Sequence, residues 1–150
     1  MPARLALTFA ACAAGHVALD GLIASPWGVP DLTLAGMMLV IVRAPRSWWA
    51  ASLGAALLTA AWAVRAAPSV LGLYLGAGWG SAAIVRHWDL EDPRFEGVLV
   101  AAVSAIITLG LVGLDGAWSW GMAARFLLRV GVTVAAWAMV RPAAARWLTV

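Results

Sequence analysis

Long apolar runs separated by short polar breaks are the main feature of this chain. Each run is continuously apolar and rich in Ala and Leu, whereas a strand of a membrane barrel would alternate apolar and polar residues over about ten positions. A helix satisfies its backbone hydrogen bonds internally, as lipid requires. The pattern therefore predicts an all-α integral membrane protein with a single transmembrane domain over residues 1–150. We expect a bundle of six helices covering residues 5–24, 32–42, 48–64, 69–85, 97–114 and 118–140.

The second apolar run is too short to cross a bilayer unaided. Its eleven residues would rise about 16 Å as a helix, against a hydrocarbon thickness of about 30 Å. It follows a turn rich in helix breakers, residues 25–31, and ends at Arg43. We expect a true but short crossing that borrows flanking residues, lies against other helices or is partly re-entrant.

The composition excludes an ordinary soluble domain. Hydrophobic residues make up 64% of the chain and charged residues 11%, whereas about 25% of a soluble domain is charged. Too few polar groups remain to cover a surface that faces water. The basic residues are dispersed at segment ends instead of forming a stripe, which argues against nucleic-acid binding. The first run is longer than the apolar part of a signal peptide, so we expect a retained helix.

The ten arginines predict the orientation, since the chain contains no lysine. Seven of them fall at every second break: Arg4, Arg43, Arg46, Arg86, Arg94, Arg141 and Arg146. Cytoplasmic loops accumulate positive residues, so we expect both termini on the cytoplasmic side of the membrane. These seven arginines then need no role beyond topology. Arg65, Arg125 and Arg129 are the exceptions.

Tryptophan supports the same map. Rings near segment ends suit the membrane interface, and seven lie there: Trp27, Trp48, Trp49, Trp88, Trp118, Trp120 and Trp147. Trp62, Trp79 and Trp137 lie further inside the segments, where we interpret them as packing residues. Cys12 lies in an apolar run and is interpreted in the same way.

Four ionisable residues lie within the first and last segments. His16 and Asp20 are four residues apart and share a helix face, and so do Arg125 and Arg129. Intramembrane ionisable residues are by default candidates for function. At about 1.5 Å per residue the two pairs lie at similar depths. We predict a polar contact between helices one and six near the outer face: a structural ion pair, with a ligand pocket and a proton relay as alternatives.

Three glycines of the fourth segment, Gly72, Gly76 and Gly80, are spaced by four residues. Small residues let helices approach closely in lipid. The spacing favours packing within this chain and leaves open a surface for another membrane protein.

One break is strongly charged and is interpreted as a solvated cytoplasmic loop that could contact a partner. Its charged residues are Arg86, Asp89, Glu91, Asp92 and Arg94. The loop lacks the glycine and the spacing of a calcium site. The chain has no GxSxG, HExxH, P-loop or CxxC motif. We therefore expect no catalytic residue, metal or cofactor.

Two short motifs, Pro30-Asp31-Leu32 and Leu71-Gly72-Leu73-Tyr74, together with the loop after the fourth segment, resemble the bacterial rod shape-determining protein family MreD. The resemblance implies a non-enzymatic scaffold subunit of the cell-elongation machinery. Its implied partners are a single-pass MreC protein and, through it, the peptidoglycan-synthesis enzymes. It also implies a fold similar to the S-components of energy-coupling-factor vitamin transporters. A small-molecule-binding transporter subunit, or an accessory subunit of another membrane complex, is therefore the alternative.

Overall fold

All the regular secondary structure described here is helical. The computed structural model describes residues 2–23, 28–63, 67–88, 93–114 and 121–149. A 3-10 turn, Pro45–Ser47, connects two of six α-helices. The helices are α1 (Ala3–Leu22), α2 (Leu32–Arg43), α3 (Trp48–Ala63), α4 (Ala67–His87), α5 (Pro93–Leu114) and α6 (Gly121–Thr149).

Four helices, α1, α4, α5 and α6, are long and apolar enough to cross a membrane, by length and composition. The helix α2 is apolar but shorter, with 12 residues. The chain therefore has the architecture of a helical multi-pass membrane protein, as the apolar runs predict.

The short helix α2 is the centre of the bundle. Every residue from Thr33 to Ile41 is buried, and α2 packs against each of the other five α-helices. One apolar core contains side chains from all six helices, with those of α2 in the middle. The short second segment thus lies against other helices, which is one of the arrangements expected for it.

The packing of α1 on α2 shows how far the start of α2 lies from the nearby end of α1. A Cβ atom at Gly36 would lie 2.9 Å from Cys12 Cβ, and one at Gly15 would lie 3.2 Å from Leu32 Cδ1. The two helices are therefore antiparallel and in close contact, and Cys12 is the buried packing residue that we expected. Since α1 continues to Leu22, the first turn of α2 lies about 10 Å below that end of α1.

Contacts between helix ends bring the seven topology arginines to one end of the bundle. Arg4 Nη1 donates to the Trp147 carbonyl over 3.5 Å, and Arg86 Nη2 donates to the Pro45 carbonyl over 3.3 Å. Arg141 pairs with Glu96, in the first turn of α5. We call this end of the bundle, which contains Arg4, Arg43, Arg46, Arg86, Arg94, Arg141 and Arg146, the arginine end.

Two helices extend beyond the predicted bounds by a full turn or more. The helix α6 continues through Pro142 to Thr149 instead of ending near Val140. Proline removes a single backbone donor, and membrane helices tolerate that loss. The helix α5 begins at Pro93 instead of Gly97, because proline is well suited to the first helical position.

The glycine row on α4 faces away from the other helices. No described atom lies within 4 Å of a Cβ built at Gly72, Gly76 or Gly80. Close packing of these three against the described helices, the favoured interpretation, is therefore not seen, and a surface for another membrane protein stays a prediction. Gly78 makes the close contact instead, against Ser52 of α3.

The inner tryptophans have different environments. Trp79 is 64% exposed, so its interpretation as a packing residue is wrong, whereas Trp137 is buried as expected. The exposed rings of Trp49, Trp88 and Trp147 lie near helix ends, as the interface interpretation requires. The side chains of Trp27, Trp62, Trp118 and Trp120 lie outside the described residues.

Gly78→Ala is expected to lower the free energy of unfolding by about 1 to 3 kcal/mol. The new Cβ would lie 1.9 Å from Ser52 Oγ and 3.0 Å from Ser52 Cβ, so α3 and α4 would have to separate. Gly76→Ala on the same helix is the matched control, and it should keep stability or raise it by up to about 1 kcal/mol. Unfolding of the purified protein in detergent measures both. Equal effects of the two substitutions would contradict the α3–α4 contact.

Candidate functional site

Asp31 caps the N-terminus of α2 and is buried. Its Oδ1 accepts a hydrogen bond from the Leu34 backbone N–H at 2.9 Å, and its own backbone N–H donates to Thr133 Oγ1 at 3.0 Å. Capping satisfies one of the free donors at a helix start, and the positive end of the helix dipole favours a carboxylate there. The helix that Asp31 caps therefore holds this side chain in place, independently of any charged neighbour.

Arg129 of α6 is the charged partner of Asp31. Its Nη2 lies 3.7 Å from Asp31 Oδ2, and the two side chains are 22% and 8% exposed. Thr133, four residues further along α6, is fully buried and lies on the same face. Together Arg129 and Thr133 attach α6 to Asp31, the N-cap residue of the central helix.

His16 lies on the α1 side of the same turn. Its Nδ1 is 3.1 Å from the Pro30 carbonyl, and since a carbonyl can only accept, this nitrogen carries the hydrogen. His16, Arg129 and the Pro30–Asp31 turn therefore form one cluster in which α1, α2 and α6 meet. We call it the polar cluster.

The other two predicted site residues flank the polar cluster. Asp20 lies one turn beyond His16 and is partly buried, and Arg125 lies one turn before Arg129 and is exposed. The helices α1 and α6 are in contact. A direct pairing of Asp20 with Arg125 or Arg129 stays a prediction, while the pairing of Arg129 with Asp31 is a contact that the sequence analysis missed.

A second buried ion pair attaches α6 at the arginine end. Arg141 Nε donates to Glu96 Oε2, and the Glu96 side chain is 5% exposed. Arg141 therefore has a role beyond topology, contrary to the expectation for the seven arginines. Pairing of a buried carboxylate with a guanidinium removes the large penalty of an isolated buried charge.

One face of α6 carries the residues of both attachments at intervals of four. They are Arg129, Thr133, Trp137 and Arg141. The two arginines are about 18 Å apart along the helix, and each meets a buried carboxylate of another helix. The helix α6 is the least enclosed of the four candidate spans, and these two ion pairs attach it to α2 and α5.

The contacts of the polar cluster are those of a structural connection between helices. Both oxygens of Asp31 and its backbone N–H are engaged by the protein itself. Across the described parts of the chain, no three His, Cys, Asp or Glu side chains are grouped so that they could hold a metal ion. Of the predicted partner loop, Arg86 and Arg94 are exposed at the arginine end, whereas Asp89, Glu91 and Asp92 lie outside the described residues.

The residues that sequence reasoning missed carried weak signals. Asp31 follows Pro30 and precedes an apolar run, which is a helix-start signal, but it looked like part of an exposed turn. Glu96 is an acidic residue in the first turn of α5, another helix-start feature. Neither signal predicts burial or the identity of a partner.

No family model, curated protein or solved structure matches this chain. The inference of function therefore depends on the residues and geometry described above.

Proposed function

We propose that this chain is a non-enzymatic scaffold subunit of the bacterial cell-elongation machinery, as the MreD resemblance implies. One observation carries the choice of a scaffold over a ligand-binding subunit: Asp31, the buried carboxylate of the polar cluster, is engaged on both oxygens by Leu34 and Arg129. A transporter subunit would need such a group available to its ligand.

The two motifs behind the resemblance occupy structurally important positions. In Pro30-Asp31-Leu32, the aspartate caps the central helix and the proline carbonyl accepts from His16. In Leu71-Gly72-Leu73-Tyr74, Tyr74 is fully buried, and its hydroxyl accepts a hydrogen bond from Thr59 Oγ1 at 3.0 Å. Both motifs therefore contribute to holding the bundle together, which supports a shared fold.

The proposal includes a topology. All six helices cross the inner membrane in a bundle similar to a vitamin-transporter S-component. The short helix α2 can do so because the other five helices surround it. The arginine end faces the cytoplasm, because positive residues accumulate on that side. Both termini are cytoplasmic, in keeping with the hydrogen bond between Arg4 and Trp147.

Purification of the tagged full-length chain from native membranes in mild detergent tests the function. We expect a single-pass coiled-coil protein to co-purify, together with wall-synthesis enzymes. Recovery of an ATPase module and a vitamin-like ligand instead would establish the transporter alternative. A different stable set of membrane proteins would indicate an accessory subunit of another complex, and either result would refute the proposal.

A pair of variants sharpens this experiment. Gly76→Leu tests whether the open face of α4 contacts the partner, and Gly131→Leu on α6 is the matched control. Neither position has a described atom within 4 Å of its Cβ, so both substitutions should leave the fold intact. Loss of the partner with Gly76→Leu alone is the expected result, and retention in both variants would contradict a role for this face.

A further inference from the structure

Three arginines converge at one corner of the arginine end. Arg43 is the last residue of α2, Arg46 lies in the following 3-10 turn, and Arg86 lies in the last turn of α4. The bond from Arg86 Nη2 to the Pro45 carbonyl, 3.3 Å, holds the end of α4 against that turn. We call these three residues the arginine corner.

Among the described residues, no carboxylate neutralises the arginine corner. Arg129 and Arg141 each pair with a carboxylate, whereas no ion pair to Arg43, Arg46 or Arg86 is found within the described ranges. All three side chains are exposed. A guanidinium has five N–H donors, and the bond to Pro45 uses one of those on Arg86. The corner thus presents several donors and three positive charges to an external anion.

Exposed tryptophans place the arginine corner at the membrane boundary. Trp49 lies in the first turn of α3, three residues after Arg46, and Trp88 lies two residues after Arg86. Both rings are exposed, and Trp88 stacks on Phe95 with ring centroids 4.8 Å apart. Tryptophan prefers the level of the lipid headgroups. Phosphate is the anion present at that level, and guanidinium groups bind it in a bidentate manner.

An apolar row leads from the arginine corner along α3. Trp49, Leu53 and Leu57 are spaced by four residues, share one helix face and are all exposed. An acyl chain could lie along this row while its headgroup contacts the arginines. A free phosphate ion would gain nothing from the row and would find no enclosing pocket at an exposed corner.

We propose that Arg43, Arg46 and Arg86 bind the phosphate group of an anionic phospholipid, whose acyl chain lies along Trp49, Leu53 and Leu57. Orientation by positive residues requires only that arginines lie on the correct side of the membrane. A lipid site requires their convergence from three elements and a neighbouring apolar row, both of which are present. The proposal depends on the chain being a membrane protein and is independent of the scaffold function.

The proposed site is tested by measuring which lipids the protein retains after purification. The purified full chain is reconstituted with equimolar phosphatidylglycerol and phosphatidylcholine, re-extracted in mild detergent, and its retained lipids are quantified by mass spectrometry. We expect phosphatidylglycerol to be enriched over phosphatidylcholine. Arg46→Gln should reduce the enrichment about fivefold, because each arginine near an anionic surface contributes a comparable increment. The triple glutamine variant of the corner should abolish it.

Arg125→Gln is the matched control, since it removes an exposed arginine from the opposite end of the bundle. It should leave the enrichment unchanged, whereas an equal loss in this variant would show a response to net charge and overturn the site. Absence of enrichment in the unmodified chain would also overturn it. If the triple variant fails to fold, Arg46→Gln alone decides, because no contact within the described chain depends on its side chain. Displacement of the lipid by equimolar inorganic phosphate would refute the choice of a lipid.

Discussion

Replacement of Asp31 by alanine is expected to lower the free energy of unfolding by about 3 kcal/mol. The substitution removes the acceptor for the Leu34 N–H in a buried turn, a loss worth about 1 kcal/mol at an N-cap. It also leaves Arg129 without its carboxylate. Removal of one member of a buried pair costs about 3 to 5 kcal/mol, but the Arg129 side chain is 22% exposed. The cost at this site should therefore be smaller than that range.

Asp31→Asn separates the two contributions. Asparagine is a good N-cap and can still accept from Leu34, so its effect measures the charge alone. Arg129→Gln combined with Asp31→Asn removes both charges and should be less destabilising than the sum of the single variants. Chemical unfolding in detergent, followed by tryptophan fluorescence, measures these four variants (Asp31→Ala, Asp31→Asn, Arg129→Gln and the double variant) and the unmodified chain. An Asp31→Ala variant as stable as the unmodified chain would show that the cap and the ion pair do not hold α2.

The apolar runs were sufficient to predict the helices but not the depth of Asp31. Six segments appear where apolar residues continue without alternation, and the arginines at every second break do converge at one end. How far Asp31 lies inside the bundle depends on the packing between helices. Gly15 and Gly36 let α1 approach α2 so that the Asp31 turn lies about 10 Å below Leu22. No local pattern near Asp31 contains that information.

Orientation about the helix axis was equally hard to predict. Spacing by four shows that Gly72, Gly76 and Gly80 share a face, but a core and a lipid environment are both apolar. The sequence of α4 therefore does not distinguish the face that meets α3 from the face that is open. Gly78, which has no partner at that spacing, makes the contact with Ser52. Trp79 follows directly and is accordingly exposed.

The same limitation applies to the candidate site. The sequence singles out His16 and Arg129 because ionisable residues in apolar runs are rare, and both lie in the polar cluster. Their partners, Pro30 and Asp31, lie directly before α2, in a turn that both α1 and α6 contact. A turn between apolar runs can lie inside the bundle as well as on its surface, so its polar residues can form buried contacts just as those within the runs do.

Replacement of Arg141 by glutamine is expected to be the most destabilising of these changes, by about 4 kcal/mol. Glu96 would remain as a carboxylate in a site where its side chain is 5% exposed, without the guanidinium that now donates to it. Arg129, by contrast, can reach water when Asp31 is removed. The loss should also weaken the attachment of α6 near the arginine end, since Arg141 provides its ion pair with α5.

The double variant Glu96→Gln/Arg141→Gln distinguishes an isolated buried charge from a lost contact. If the cost arises from the unpaired carboxylate, the double variant should recover most of the stability lost in Arg141→Gln, because two neutral amides need far less solvation. Arg43→Gln removes an exposed arginine from the same end and should change the free energy of unfolding by less than about 0.5 kcal/mol. Unfolding in detergent without anionic lipid measures the three variants. A double variant as unstable as Arg141→Gln would mean that the packing of the arginine side chain, and not its charge, fastens α6 to α5.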